Sequence, residues 1–398
     1  MALKIVILGK FPPTCGQVST LNLWLAAGLA DKGAEVVVCT DAHYPNKQSV
    51  QAPCDTESTA FLDKLLSFGV SVVYARHLAN SVFLPFSELG YVSYLAEARK
   101  TVLAFQPDVI FSHYLEPYAL VGCHISKELD IPHVVTHAGS DIVRLCESED
   151  LRTLYRSILK DVSYFVPKSQ IAKNIFSESC STYNVSPYLP NPRHFNSSNK
   201  IDNANSGDQD EPIFGFYGKF VYGKKLDDII HAFRHYRKTH SKGRLLLIGG
   251  EIGGKFKLSD FDDISRDEAI EIRPFIPNWE VPQLLNSLSC LIYTKSGYMV
   301  AQHAAIILRE AVACKTPVIA TQESLAGCPS SLLQFAQISF INNDATAEVL
   351  SSAMDKMVKI GRTENKATDE PAHEYFKRGY QQYIDSWYQC LSDASARR

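Results

Sequence analysis

Across 398 residues no run approaches 18 consecutive apolar side chains, so the sequence offers no ordinary membrane-spanning helix. C-x-x-C pairs are missing too. Ten cysteines are scattered singly, which argues against zinc ribbons and thioredoxin-like chemistry. A surplus of positive charge is likewise absent, with 40 Lys and Arg against 43 Asp and Glu and a net charge of −3. Proteins that neutralise many phosphates carry a basic surplus or stripe, so nucleic acid is not an expected partner. The first residues, Met1–Gly9, hold too short an apolar core for an export signal and read as a buried strand. Reduced thiols and a cytoplasmic location are the expectation.

What is present is an ordinary globular composition, 45% hydrophobic and 21% charged, at a length that suggests two or three domains. Short β-branched runs alternate with longer amphipathic stretches. Lys4–Leu8, Glu35–Thr40, Val70–Ala75, Val109–Ser112 and His133–Thr136 read as strands. Ser19–Lys32, Thr56–Phe68, Val92–Phe105 and Ala119–Leu129 read as the helices between them. Such alternation marks a parallel sheet covered on both faces.

The pattern breaks at the polar stretch Asn196–Pro212 and restarts with Ile213–Tyr217, Arg244–Ile248, Ala269–Ile272, Cys290–Tyr293 and Pro317–Ala320. The expected architecture is α/β: two doubly wound Rossmann-like domains, residues 1–190 and 213–371, joined by a linker at 191–212. An aromatic-rich helix within 372–398 is expected to pack back onto the first domain. Ligands of such sheets bind outside the carboxyl ends of the strands, here expected in a cleft between the domains.

Several segments carry chemistry at those ends. Gly16 closes the turn Gly9–Ser19 before a helix, where a glycine lets the backbone approach an anion. Gly218-Lys-Phe-Val-Tyr-Gly-Lys-Lys225 nearly matches the phosphate loop G-x-x-x-x-G-K-[ST] between strand and helix. Lys225 cannot ligate Mg²⁺ as a hydroxyl would, so an ATPase reading is poor, yet Lys219 and Lys224 flanking one turn suit a diphosphate. His137 lies in Thr136–Asp141, with a glycine and a carboxylate, after a buried strand. Glu310 stands in the apolar stretch Ala304–Ala313, where a carboxylate is costly to bury without partners, although Arg309–Glu310 could equally be a solvated surface pair.

Taken in order, these segments resemble glycosyltransferase family 4, whose members have the two-domain GT-B fold. The likeness lies in the opening Lys4–Thr20 and in Gly28–Val36, Pro107–Ile110, Ile131–Val135 and Pro190-Asn191. It continues in Gly218-Lys219 with Lys224, similar to the family's G-R-x-x-x-x-K element, and in Glu310–Thr321, similar to E-A-x-A-x-G-x-P-V-x-A-T. The chain departs from the pattern where Cys15 replaces a usual glycine, Lys219 the usual arginine, and Gln302 the first of the family's two glutamates. His137 stands two residues before Gly139, where many members have it directly before the glycine.

The resemblance implies a retaining, metal-independent transferase that moves a hexose from a nucleotide-sugar to an acceptor hydroxyl, glycan or lipid-linked, with a peripheral membrane contact left open. The nucleotide-sugar is a substrate, and no cofactor or metal is expected. Glu310 would hold the ribose and Gln302 the donor sugar. Gly16, Lys219, Lys224 and the backbone at His303, Ala304 and Ala305 would hold the diphosphate, and His137 would be the catalytic residue beside the sugar. The alternatives are a non-catalytic sugar-nucleotide-binding subunit, motivated by Gln302, and another GT-B enzyme such as an epimerase or phosphorylase. Asp260–Asp263 matches the D-x-D metal motif of another glycosyltransferase fold, but so short a pattern arises by chance in a polar connection.

Overall fold

A computed structural model describes residues 2–14, 16–40, 59–75, 88–197, 211–251, 264, 267–295, 297, 305–325, 328–361 and 366–397. The chain divides into two compact units, the first of residues 1–47, 54–188 and 381–398, the second chiefly of residues 189–380. Gln302, His303, Ala304 and Asp260–Asp263 lie outside the described residues.

The first unit contains the strands β1 (Lys4–Gly9), β2 (Glu35–Thr40), β3 (Val70–Tyr74), β4 (Val109–His113), β5 (His133–Thr136) and β6 (Tyr164–Val166). Between and after them run α1 (Gln17–Asp31), α2 (Thr59–Ser67), α3 (Glu88–Phe105), α4 (Leu120–Leu129), α5 (Gly139–Leu145), α6 (Glu149–Leu159) and α7 (Gln170–Phe176). All strand pairs are parallel, in the order β3-β2-β1-β4-β5-β6. Helix α1 is buried almost all round from Leu21 to Leu29, which explains its near absence of charge. Residues beyond 380 join this unit through Trp387, whose ring centroid lies 4.8 Å from that of Phe111 on β4.

The second unit contains β7 (Ile213–Phe220), α8 (Leu226–Thr239), β8 (Arg244–Glu251), β9 (Ile270–Arg273), α9 (Val281–Ser287) and β10 (Cys290–Tyr293). It continues with α10 (Ile306–Ala313), β11 (Val318–Thr321), α11 (Ser330–Leu333), β12 (Ile338–Ile341), α12 (Ala347–Ile360) and α13 (Lys366–Ser395), the last running on into the first unit's residues. Its parallel order, β12-β11-β10-β7-β8-β9, is that of the first sheet repeated. In each sheet the chain reverses its direction of travel between two central strands, β1 and β4 in one and β7 and β10 in the other. A crevice opens at such a switch point.

One strand runs past its expected end. Ile213–Tyr217 extends through Gly218 and Lys219 to Phe220, which pairs with Glu251 and whose ring is buried. The turn beyond is therefore shorter than the glycine-lysine spacing suggests: a single tight turn, Tyr222–Lys224, closed by Lys225 in the left-handed region at φ +51°.

The described cysteines form no disulfide among themselves. No helix among the described residues is long and apolar enough to cross a membrane.

Candidate functional site

The switch point of the second sheet gathers lysines. Lys224, delivered by the turn after β7, is 7% exposed, and its ammonium donates to the Tyr293 hydroxyl at the end of β10, 2.5 Å away. The same charge lies 3.8 Å from the Tyr293 ring centroid. Thr294 Oγ1 donates to the Lys224 carbonyl, so β10 holds both ends of this residue. Lys295 follows at 3% exposure, its backbone locked to the Thr321 hydroxyl, which accepts from the Lys295 N–H and donates to its carbonyl at 3.0 and 2.8 Å.

Burial pushes the Lys224 pKa down to about 7; the Lys295 ammonium adds to the shift and Glu323 opposes it. Burial lowers Lys295 as well, again against Glu323. Glu323 also accepts from the Gly297 backbone N–H at 3.0 Å.

Lys219 is exposed on β7, away from the role of twin to Lys224 that the spacing suggested; the cation whose field bears on Lys224 is Lys295. Sequence reasoning passed over Lys295 because it belongs to no motif, only to the residue after a buried strand.

Glu310, in the middle of α10, is 3% exposed, and Arg309 beside it is also buried, which rules out the solvated surface pair. No hydrogen bond or ion pair joins the Glu310 carboxylate to another described residue, and burial raises its pKa to about 8. Ala305, the residue before α10, is buried.

The first sheet carries a second polar cluster at its own switch point, where Gly9 of β1 stands in register with His113 of β4. A Cβ at position 9 would lie 2.5 Å from Asn22 Nδ2, so only glycine leaves room for that amide. Asn22 Nδ2 donates to the Lys10 carbonyl at 2.8 Å, which turns its Oδ1 toward His113 Nδ1 at 2.6 Å. His113 therefore carries its proton on Nδ1 and offers Nε2 to the Lys168 ammonium at 2.8 Å.

Lys168 is exposed as a residue, yet protein crowds its ammonium and pushes the pKa down to about 7, with Asp141 acting the other way. Asp141, fully buried, accepts N–H bonds from Leu115, Ala138 and Ile142 at 3.0, 3.2 and 3.0 Å, and burial nonetheless raises its pKa to about 7. Tyr114, directly after β4, has φ +104°, a region costly for a bulky side chain. Its hydroxyl lies 2.6 Å from Ser140 Oγ, and the Lys10 ammonium sits 5.4 Å from its ring centroid.

His137 departs from the picture of a ring facing a sugar. It is 1% exposed and stacked on Phe165 at 5.8 Å. Nε2 accepts the Lys168 backbone N–H at 2.8 Å, so Nδ1 carries the proton toward the Ala138 carbonyl at 2.9 Å. Both ring nitrogens are used inside the protein, and what the ring does here is hold the backbone of Lys168. Gly16 stands at the start of α1 with φ +131°, a conformation that requires glycine.

Gly16 and His137 thus belong to the first unit, and Lys219, Lys224, Ala305 and Glu310 to the second. Asn22, His113 and Lys168 gave no sequence signal of their own. They meet only because helix α1 packs where the ends of β4 and β6 lie.

Two family models match the chain: the glycosyl transferase 4-like domain over residues 18–172 and the glycosyl transferases group 1 over residues 197–371. An uncharacterized glycosyltransferase of Methanocaldococcus jannaschii is 28% identical over 221 residues, 54% of this chain and 56% of that protein. The chain therefore spans little more than half the length of the curated relative it matches. Among solved structures, HepE of Anabaena in complex with UDP and glucose is similar at a TM-score of 0.63 and 15% identity, covering 98% of this chain and 100% of that one. Sucrose-phosphate synthase of Thermosynechococcus elongatus gives 0.61 and 15%, with coverage of 98% and 100%. At such identities the likeness speaks for the fold alone.

Proposed function

Because the chain belongs to the glycosyltransferases of the GT-B fold, we propose that it moves a hexose from a nucleotide-sugar to an acceptor hydroxyl with retention of anomeric configuration, as in family 4, and without a metal ion or other cofactor. The observation that carries this reading is the pair of buried lysines at the β7/β10 switch point. Two ammonium groups held within each other's field are costly when empty and favourable around an anion, and a diphosphate supplies that anion. HepE, alike in fold, was crystallised with UDP and glucose, so UDP is the first nucleotide to try.

In this mechanism the bond between the anomeric carbon and the diphosphate oxygen breaks while the acceptor oxygen bonds to that carbon on the same face. The acceptor proton passes to the departing phosphate. Negative charge builds on the diphosphate as it leaves, and Lys224 and Lys295, already in place, stabilise it with no reorganisation; Lys219 and the backbone at Ala305 add to that field. Glu310 accepts hydrogen bonds from the ribose hydroxyls, for which a buried carboxylate with no described partner is suited. Gln302, His303 and Ala304 keep their proposed places at the sugar and diphosphate. The first unit receives the acceptor, and His137 serves there by holding Lys168 rather than by touching the sugar.

The test is a calorimetric titration of UDP, GDP and ADP, followed by product analysis by NMR with the matching nucleotide-sugar. Lys224→Ala should weaken the nucleoside diphosphate about 10- to 150-fold, the worth of one charge-assisted hydrogen bond. Absence of binding by any of the three in the wild-type chain, or a product of inverted anomeric configuration, overturns the proposal.

A further inference from the structure

The polar cluster of the first unit has a feature that transfer from a nucleotide-sugar does not require. An ammonium has three N–H donors. At Lys168 one of them is aimed at His113, and no acceptor for the other two stands among the described residues. The group is nevertheless held in place. The chain from Lys168 through His113 and Asn22 to the Lys10 carbonyl is directional, each member donating to the next. Its base is the close approach that Gly9 permits, and the Lys168 backbone is fixed separately by His137. Asp141 supplies counter-charge, but both of its oxygens are committed to backbone N–H groups. A second cation, Lys10, is carried to the same switch point over Tyr114, whose strained backbone the fold maintains.

We infer that Lys168 and Lys10 form a phosphate-binding subsite of the first unit, and that the acceptor therefore carries a phosphoryl group. This rests on reading the first unit as the acceptor side. A dianion accepts both remaining Lys168 donors and is balanced by two lysines, whereas a neutral sugar hydroxyl gives such an arrangement no reason to be built. Charge-assisted bonds of this kind are the strong ones. The phosphoryl group belongs either to a soluble phosphomonoester or to a lipid headgroup, and the chemistry at Lys168 is the same for both.

The experiment uses the full chain with UDP at saturation, so that the lysines of the second unit are already occupied. Inorganic phosphate is titrated by calorimetry into the wild type, Lys168→Met and Lys168→Arg. We expect saturable binding, a loss of about 10- to 150-fold in Lys168→Met, and partial rescue by arginine, which keeps the charge. UDP affinity, measured separately, should not change in Lys168→Met, so a failure of nucleotide binding and a failure of this subsite are read independently. Should Lys168→Met not fold, reductive methylation of the wild type followed by mass spectrometry serves instead. Phosphate should protect Lys168 while leaving the exposed Lys100 and Lys377 unprotected.

Vesicles of phosphatidic acid in phosphatidylcholine distinguish the sources. Lys168-dependent sedimentation supports a lipid-linked acceptor, and phosphate binding without sedimentation supports a soluble one. Phosphate binding that is absent, or equal in wild type and Lys168→Met with Lys168 unprotected, overturns the inference.

Discussion

The Lys224 ammonium and the Tyr293 hydroxyl, 69 residues apart, are joined by a 2.5 Å hydrogen bond across the switch point of the second sheet. The bond ties the turn after β7 to the end of β10, and with it the position of the charge. Tyr293→Phe keeps the ring and its cation–π contact but removes the acceptor. It should cost about 1–2 kcal/mol in urea denaturation, toward the low side for a charged hydrogen bond because Tyr293 is only partly buried. A loss of stability below a few tenths of a kcal/mol would mean the ammonium has another equally good acceptor.

The same ammonium predicts how nucleotide binding responds to pH. Its pKa of about 7 lies well below that of a free lysine, so above neutrality the empty site is increasingly uncharged. A diphosphate needs the protonated form, and binding then requires proton uptake. UDP affinity should fall as the pH rises from 7 to 9, by up to about tenfold per pH unit. Lys295 and Glu323, which face Lys224, displace the midpoint but not the sign. Calorimetry in buffers of different ionisation enthalpy measures the proton directly, and zero uptake at pH 8 contradicts the assignment.

Glu310 offers a stability test at a group whose pKa is shifted upward, where that of Lys224 is shifted downward. Burial lifts its pKa from 4.5 to about 8, so between those values the folded chain holds a proton that the unfolded chain has lost. Its contribution is therefore intact below pH 4.5 and declines as the pH rises toward 8. Glu310→Gln should remove that decline and leave the variant more stable than wild type at pH 9. It should also weaken UDP about tenfold while sparing inorganic diphosphate, which has no ribose. Equal losses for both ligands would show that the substitution disturbs α10 as a whole.

For His137 the geometry and the family resemblance predict different outcomes. A buried ring with both nitrogens engaged is a structural element, and His137→Ala should destabilise the first unit by about 2–4 kcal/mol through a cavity and an unsatisfied Lys168 N–H. A variant that folds with unchanged stability yet loses kcat would return the residue to the sugar.

Metal independence is open to a direct assay. With lysines supplying the positive field at the diphosphate, transfer should survive excess EDTA with less than about a twofold change in rate, under roughly 0.5 kcal/mol of barrier. Strict dependence on added Mg²⁺ or Mn²⁺ would redirect attention to Asp260–Asp263.

Much of the architecture is local in origin and could be read directly. Val36–Val38 and Val109–Phe111 are β-branched or aromatic runs too apolar for a half-exposed strand, and both lie inside parallel sheets. Glu35–Thr40, His133–Thr136 and Cys290–Tyr293 begin and end where the sequence places them. Tyr164–Val166 and Ile338–Ile341 were not legible: the first has only three residues, and in the second a buried Ser339 and an exposed Phe340 invert the apolar pattern.

The sequence by itself determined the alternation of strand and helix, the glycine at position 16, and the presence of Lys224 after a strand and of Glu310 within an apolar helical stretch. Those features follow from residue type and neighbours along the chain. Only the tertiary structure decided that Phe220 buries its ring and carries β7 past Lys219, and that Lys295 is the cation beside Lys224. It also decided that Asn22, His113 and Lys168, separated by 91 and 55 residues, form one directed chain. Strand order sets which ends meet, and strand order is a property of sheet assembly that no local pattern of residues encodes.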